Sequence, residues 1–252
     1  LERLDGNLHR SVLADGSQWE QSPMYHCEVL HNAADTLLIA RQNGIAVPAR
    51  FEQKVHDMFR ALAAWVKPGG FLPCQSDSDA ADAGDILAMG ALLFEDPVLR
   101  TAAGDRAREE NYWDFGPGCA RRLAQLPAEA GGSPSDALPH SGNYVLRASR
   151  DPQSAWLRFH CGSMGGGHGH ADQLHLDAGC RGEDFLIDPG RYTYAECPQR
   201  LELKRPAAHN TTRVDDLDFS PCEDTWSYLS LAVPVKLPFR FTPQADLVCG
   251  GH

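Results

Sequence analysis

None of the eight cysteines stands in a CxxC pair, which excludes a zinc ribbon and a dense disulfide framework and leaves the redox compartment open. No apolar run approaches the roughly 20 residues that a membrane helix needs, and no signal peptide is visible. Positive charge is scarce: 23 Lys and Arg stand against 34 Asp and Glu, a net charge of −11. That balance argues against nucleic acid as a partner. An anionic sugar stays admissible, because a cleft can be locally basic in an acidic protein. Internal repeats are absent, and low complexity is confined to one Ala/Gly/Ser/Pro stretch over residues 127–140. At 252 residues and 42% hydrophobic content, the chain is long enough for one large or two ordinary domains. It begins without Met and ends CGGH, which suits a fragment; the compartment, whether periplasmic, secreted or cytoplasmic, is left open.

The most informative stretch is GGGHGHADQLH, residues 165–175. Glycines give the backbone conformations closed to other residues. If the segment is extended, His168 and His170 point the same way, into one site. Asp188, opening DPG, and His209, opening HNTT, add a carboxylate and a third imidazole. Two histidines and a carboxylate suit an open zinc site. The alternative is a Gly-rich hairpin whose histidines are only hydrogen-bonded.

The first half reads helical. Ser22 suits an N-cap and Pro23 the first helical position, and Val29, Leu30, Ala33, Ala34, Leu37 and Leu38 form a stripe ended by Asn43-Gly44. A second helix spans roughly 49–66, with Phe51, Val55, Phe59, Leu62 and Val66 on one face. A third covers about 79–94, a short one starts at Asp96-Pro97, and a last one runs over 118–126. Residues 1–17 read as a short segment ending in a turn. Tyr25 lies in the first turn of its helix, where the macrodipole favours negative charge, and Glu28 shares its face. An ordinary half-buried aromatic is the alternative there.

After the linker the period drops to two. GNYVLRAS and AWLRFHCG read as strands, the second with Leu157, Phe159 and Cys161 opposite Trp156, Arg158 and His160. QLHLDAGC and EDFLIDPG form a pair around the Arg181-Gly182 turn, and SYLSLAVPVKLPFRFT supplies two more strands around its prolines. The fold class is α+β and multidomain: helices over 1–130, then an antiparallel β-sandwich over 131–252.

DGSQWEQSPMYH (residues 15–26) and GGGHGHADQLHLD, followed by DPGRYTY and AHNTT, resemble the polysaccharide lyases of the heparinase II/III type, which are related in architecture to alginate and oligo-alginate lyases. The resemblance implies the C-terminal part of an (α/α) toroid followed by a β-sandwich, with the glycan in the cleft between them. It makes Tyr25 and His168 catalytic and gives His170, Asp188 and His209 one structural zinc. It places Gln18, Glu20, His26 and Tyr192 on the substrate, with Asp172 and His175 as supporting groups. The implied partner is an acidic polysaccharide or oligosaccharide, with no nucleic acid and no membrane, and a homodimer is compatible with it. The family also carries, well upstream of the tyrosine, an Asn or His that neutralises the substrate carboxylate; Asn7 and His9 are too close to Tyr25 to serve.

The chemistry implied is β-elimination from a uronic acid, leaving a 4,5-unsaturated end. Neutralising the carboxylate acidifies the hydrogen at C5, and Tyr25 and His168 move the protons. Two other classes remain open: a metal-dependent hydrolase in which the HxHxD cluster activates water, and a non-catalytic zinc-containing carbohydrate-binding module. A glycosidase needs two opposed carboxylates, and neither Glu20 nor Glu28 has an evident partner in the sequence.

Overall fold

The computed structural model describes residues 1–131 and 133–252. Seven helices come first: α1 (Glu2–Ser11), α2 (Pro23–Gln42), α3 (Ala49–Trp65), α4 (Gly84–Phe94), α5 (Pro97–Ala103), α6 (Glu109–Phe115) and α7 (Cys119–Gln125). The expected apolar stripes face one another. Leu30 and Leu37 of α2, Phe51, Val55, Phe59 and Leu62 of α3, and Leu87 of α4 are fully buried in one core. Each such side chain contributes about 1.5–3 kcal/mol by leaving water. A Cβ on Gly90 would fall 2.5 Å from the Phe59 ring, so glycine there lets α4 lie close on α3. Asp96 caps α5 by accepting from the Val98 amide at 2.8 Å, which is the role its Asp-Pro sequence implies. No described helix is long and apolar enough to cross a membrane.

Three helical details differ from the sequence reading. The first residues form α1, with Glu2 and Asp5 in its first turn and His9 and Arg10 in its last, a charge order that suits the helix dipole. The third helix starts at Gly84 rather than near Asp79, because Asp82 accepts from the Gly84 amide and residues 75–78 are drawn into the other half of the molecule. Helix α6 is additional, opened by reciprocal hydrogen bonds between Arg108 and Asn111.

The second half holds a five-stranded antiparallel sheet in sequential order: β1 (Asp136–Leu138), β2 (Asn143–Arg147), β3 (Trp156–His160), β4 (His175–Cys180) and β5 (Glu183–Leu186). Arg181 and Gly182, at φ 58° and 78°, make the tight β4–β5 turn. Strand β1 falls inside the stretch expected to be linker. Helix α8 (Pro198–Lys204) follows, and then two ribbons, β6 (Val235–Lys236) with β9 (Gly250–Gly251) and β7 (Arg240–Phe241) with β8 (Asp246–Leu247). The expected strands around 227–242 reduce to two residues each, since Pro234 and Pro238 withhold the amides that a longer ladder needs. The segment between β6 and β7 meets the sheet through Phe239, whose ring is centred 5.2 Å from that of Tyr144.

The sheet is polar on the face turned to the helices. Register aligns Asn143 with His160 and His175, and Arg158 with Asp177, on that face. Leu157 and Phe159 are only half-buried on the other. Most groups of this polar face are paired. Arg158 binds Asp177 and Gln75. Arg147 donates to the Ala64 and Val66 carbonyls at 2.7 and 2.6 Å, closing the C-terminus of α3.

Candidate active site

The GGGHGH stretch is a loop, not a strand, and this corrects the expectation that His168 and His170 face one way. Gly165 sits at φ +87°, and the Gly169 amide turns back to the Gly166 carbonyl at 2.9 Å. The two imidazoles part. His168 reaches the helical half, where its Nδ1 lies 2.5 Å from Glu20 Oε2. His170 turns inward, with Nε2 2.9 Å from Asp77 Oδ1.

Around His168 the site is half-open. The Tyr25 ring stacks on the imidazole, centroids 3.7 Å apart at 16°. Pro23 opens α2 and so sets Tyr25, with its hydroxyl, in the first turn. That hydroxyl lies 2.8 Å from the Tyr194 hydroxyl, while Glu28 is exposed. Burial pushes the Tyr194 phenol above its usual range, and the hydrogen bond with Tyr25 adds to this. Arg191 and Arg200 place guanidinium carbons 5.1 and 5.5 Å from the Tyr194 ring centre. With its Nδ1 engaged by Glu20, His168 has Nε2 as its remaining ring nitrogen.

His170, Asp188 and His209 are buried together, with one ligand atom from each within 4.8 Å of the others. His170 Nδ1, both His209 ring nitrogens and Asp188 Oδ2 have no hydrogen-bond partner. Orphaned buried polar atoms are costly, and these four fit a bound cation. Burial lowers the His170 pKa to about 4, so its imidazole is neutral, the form a metal requires. Burial pushes His209 down as well, but the charge of Asp188 outweighs it and raises the pKa. Burial pushes the Asp188 carboxyl up, yet the charges of His209 and His175 hold it well below the carboxylate range. The pocket calls for positive charge.

The surrounding sequence explains why these atoms are held. Gly190, at φ +68°, donates to Asp188 Oδ1 at 3.1 Å, which accounts for DPG. In HNTT, the Asn210 side chain donates to the Leu176 and Ile187 carbonyls at 2.9 Å each, and its amide donates to His175 Nδ1 at 3.1 Å. His175 is thereby structural, with Nε2 2.7 Å from Asp177 Oδ1. Asp172 is buried 3.7 Å from His160 Nε2.

Of the residues expected on the substrate side, His26 and Gln18 are internal and Tyr192 is exposed. His26 is fully buried: it accepts from the Gln18 amide through Nδ1 at 3.2 Å and donates from Nε2 to the Met58 carbonyl at 3.0 Å. Gln18 is buried too, its Oε1 accepting from the Glu20 amide at 2.8 Å. Both shape the turn that presents Glu20 and neither offers a surface to a glycan. Tyr192 is 69% exposed at φ +59° and makes no described side-chain hydrogen bond; Tyr194 is the tyrosine that meets Tyr25.

The residue that sequence reading missed is Asp77. It takes Arg200 through both oxygens and His170 through one. Its amide donates to the His168 carbonyl at 3.0 Å, and its carbonyl accepts from Ser22 at 3.0 Å. Burial pushes its carboxyl up, but the hydrogen bonds from His170 and Arg200 prevail and hold it below the usual range. The signal available was QSDS, a polar run between two helices, which reads as an ordinary surface loop.

Residues 1–91 match the family described as Heparinase II/III N-terminus, and residues 130–242 the one described as Heparinase II/III-like, C-terminal. No curated protein sequence matches the chain. Among solved structures, heparan sulfate lyase HepC from Pedobacter heparinus superposes with a TM-score of 0.80 at 19% identity over 99% of this chain. A heparinase III gene product superposes at 0.78, also with 19% identity over 99% of this chain. The chain spans 36% of the length of either structure.

Proposed function

The chain belongs to the heparinase II/III family, and from that premise we propose that it carries part of the active site of a polysaccharide lyase that cleaves uronic-acid glycans by β-elimination. The observation that carries the reading is the Tyr25–His168 stack, with the Tyr25 hydroxyl on Tyr194 and the His168 imidazole on Glu20. Two proton-transfer groups meet there at the edge of a half-open surface.

Elimination breaks the C5–H and C4–O bonds of the uronide and leaves a 4,5 double bond. Tyr25 and His168 act as the acid–base pair: one takes the C5 proton and the other delivers a proton to the leaving oxygen. Glu20 holds His168 with its Nε2 free, and a charged Glu20 stabilises the imidazolium when the ring is protonated. Tyr194 donates to or accepts from the Tyr25 hydroxyl and keeps it directed. Arg191 stands beside Tyr194 in a two-point ion pair with Asp79, so its charge is already matched. The substrate class is acidic polysaccharide of the heparin, heparan sulfate, hyaluronate or alginate kind.

His170, Asp188 and His209 would hold a zinc ion, with Asp77 fixing the His170 tautomer in the manner of a carboxylate–histidine–metal relay. The ion would supply folding free energy to the loop rather than act on substrate. His168 turns from these buried groups towards Glu20, which favours the lyase reading over a hydrolase with metal-activated water.

The test is turnover of a panel of uronic-acid glycans by the longer protein that contains this chain, followed by the ultraviolet absorbance of the unsaturated product. Release of saturated ends instead would replace elimination with hydrolysis.

A further inference from the structure

Two of the three glycines before His168 lie against tryptophan rings, and the first, Gly165, is set by its φ of +87° and the nearby Glu20 backbone. A Cβ on Gly166 would fall 2.8 Å from the Trp19 ring, and one on Gly167 would lie 3.6 Å from the Trp226 ring. The loop therefore runs from one indole to the other; a side chain at position 166 would push against Trp19, while a Cβ at position 167 would sit in ordinary contact with Trp226. Trp19 and Trp226 nevertheless remain 43% and 50% exposed. Half-open indoles on both flanks of a proton-transfer pair waste apolar area unless something else covers it.

Both are held in place. Trp226 stacks on Tyr194, centroids 5.6 Å apart at 17°, and meets His168 edge-on at 6.0 Å and 82°. Asp224 Oδ1 accepts from the amides of Trp226 and Ser227 at 2.6 and 2.8 Å. Buried Lys204 donates to the Thr225 carbonyl at 2.6 Å. On the other side, the Trp19 amide donates to the Ser11 carbonyl at 2.9 Å, while Glu20 reaches His168. Rigid aromatic side chains lose little entropy on binding.

We propose that Trp19 and Trp226 form a split platform on which two pyranose rings stack, one on each side of the Tyr25–His168 pair. The C–H face of each sugar lies on an indole, and the glycosidic bond between them is brought to the pair. The occupant is an acidic glycan, so the inference rests on the lyase reading for its ligand. Its evidence, the half-exposed indoles and the glycine loop that runs from one to the other, is separate.

The test measures binding and turnover apart. Binding of uronic-acid disaccharide, tetrasaccharide and hexasaccharide is measured by calorimetry in a Tyr25→Phe background, and turnover is measured with Tyr25 intact. Trp19→Ala and Trp226→Ala are each expected to raise Kd and KM for the tetrasaccharide about five- to tenfold with kcat within about threefold, the scale of one aromatic contact. Trp226→Phe should recover most of the loss, which separates stacking from a folding defect, and Trp113→Ala on α6 should change nothing. Wild-type affinity and KM in both alanine variants would overturn the platform, as would failure of the unsubstituted protein to bind any of the three. Binding that the alanine variants weaken, without unsaturated product from the unsubstituted protein, would retain the platform and discard the lyase reading.

Discussion

The ring of Tyr25 lies flat on the imidazole of His168, 3.7 Å between centroids, although one belongs to a helix and the other to a loop of the sheet half. Neither half alone contains the pair. The stacked pair is a product of docking, and its geometry reports on how the halves meet.

Removing the Tyr25 hydroxyl while keeping its ring isolates its chemistry from its packing. Tyr25→Phe should retain the stack on His168 and the melting temperature, and lose about 10²–10⁴ in elimination rate, the usual worth of a positioned acid or base. Tyr194→Phe should cost less, because it removes a partner of the reacting hydroxyl. Steady-state turnover and thermal melting check both. Loss of less than about threefold in Tyr25→Phe would move the proton transfer to another group.

Glu20→Gln should leave metal content and stability near wild type and lower kcat, with an altered pH–rate profile because His168 loses its carboxylate. An unchanged profile would reduce Glu20 to a surface contact.

His170→Ala should lose bound zinc and stability together, whereas His168→Ala should keep both and lose activity. Elemental analysis after purification without chelator, expected to give about one zinc per chain, and melting with and without chelator make the comparison. Equal loss of metal in the two variants would place both histidines on the ion.

Asp77→Ala should be among the most destabilising single changes, about 3–5 kcal/mol, because it leaves Arg200 buried without its counter-charge. Denaturant unfolding measures it, and zinc content should fall with it. A variant that keeps wild-type stability would mean that Arg200 finds another partner.

Acid should weaken the fold through His26. Burial lowers its pKa to about 4 from an ordinary value near 6.5, so the unfolded chain binds the extra proton first. Its contribution to stability is complete above about pH 6.5 and declines as pH falls towards 4, by at most about 1.4 kcal/mol per pH unit. His26→Gln should flatten the stability–pH curve over that window by up to one proton. No change in slope would show that His26 titrates alike in both states.

Much of this was legible in the sequence where the signal is local. Ser22-Pro23 and Asn43-Gly44 bound α2, the Arg181-Gly182 turn marks its hairpin, and His170, Asp188 and His209 are grouped in the structure as the sequence grouped them. What escaped depends on partners from far along the chain. The alternation in β3 was visible, but the buried face is the one with Arg158 and His160, because Asp177, Gln75 and Asn143 arrive to pair them. Tyr192 and Tyr194 are indistinguishable by composition. The positive φ at Tyr192 and the hydroxyl contact of Tyr194 separate them. His26 resembled a site residue because it sits beside one, and only the Met58 carbonyl shows it to be internal.

Asp77 sits between α3 and α4 in the chain, yet it grips the histidine loop by backbone and side chain. The two halves therefore cannot be inherited as interchangeable modules. A sheet half joined to helices without an acid at this point would bring His170, Asp188 and His209 and leave behind the carboxylate that sets His170. Recombination at the helix–sheet boundary would preserve the ligands and lose their alignment. The contacts that constrain residues 75–78 then come from the opposite half of the molecule, so a change in either half is felt in the other.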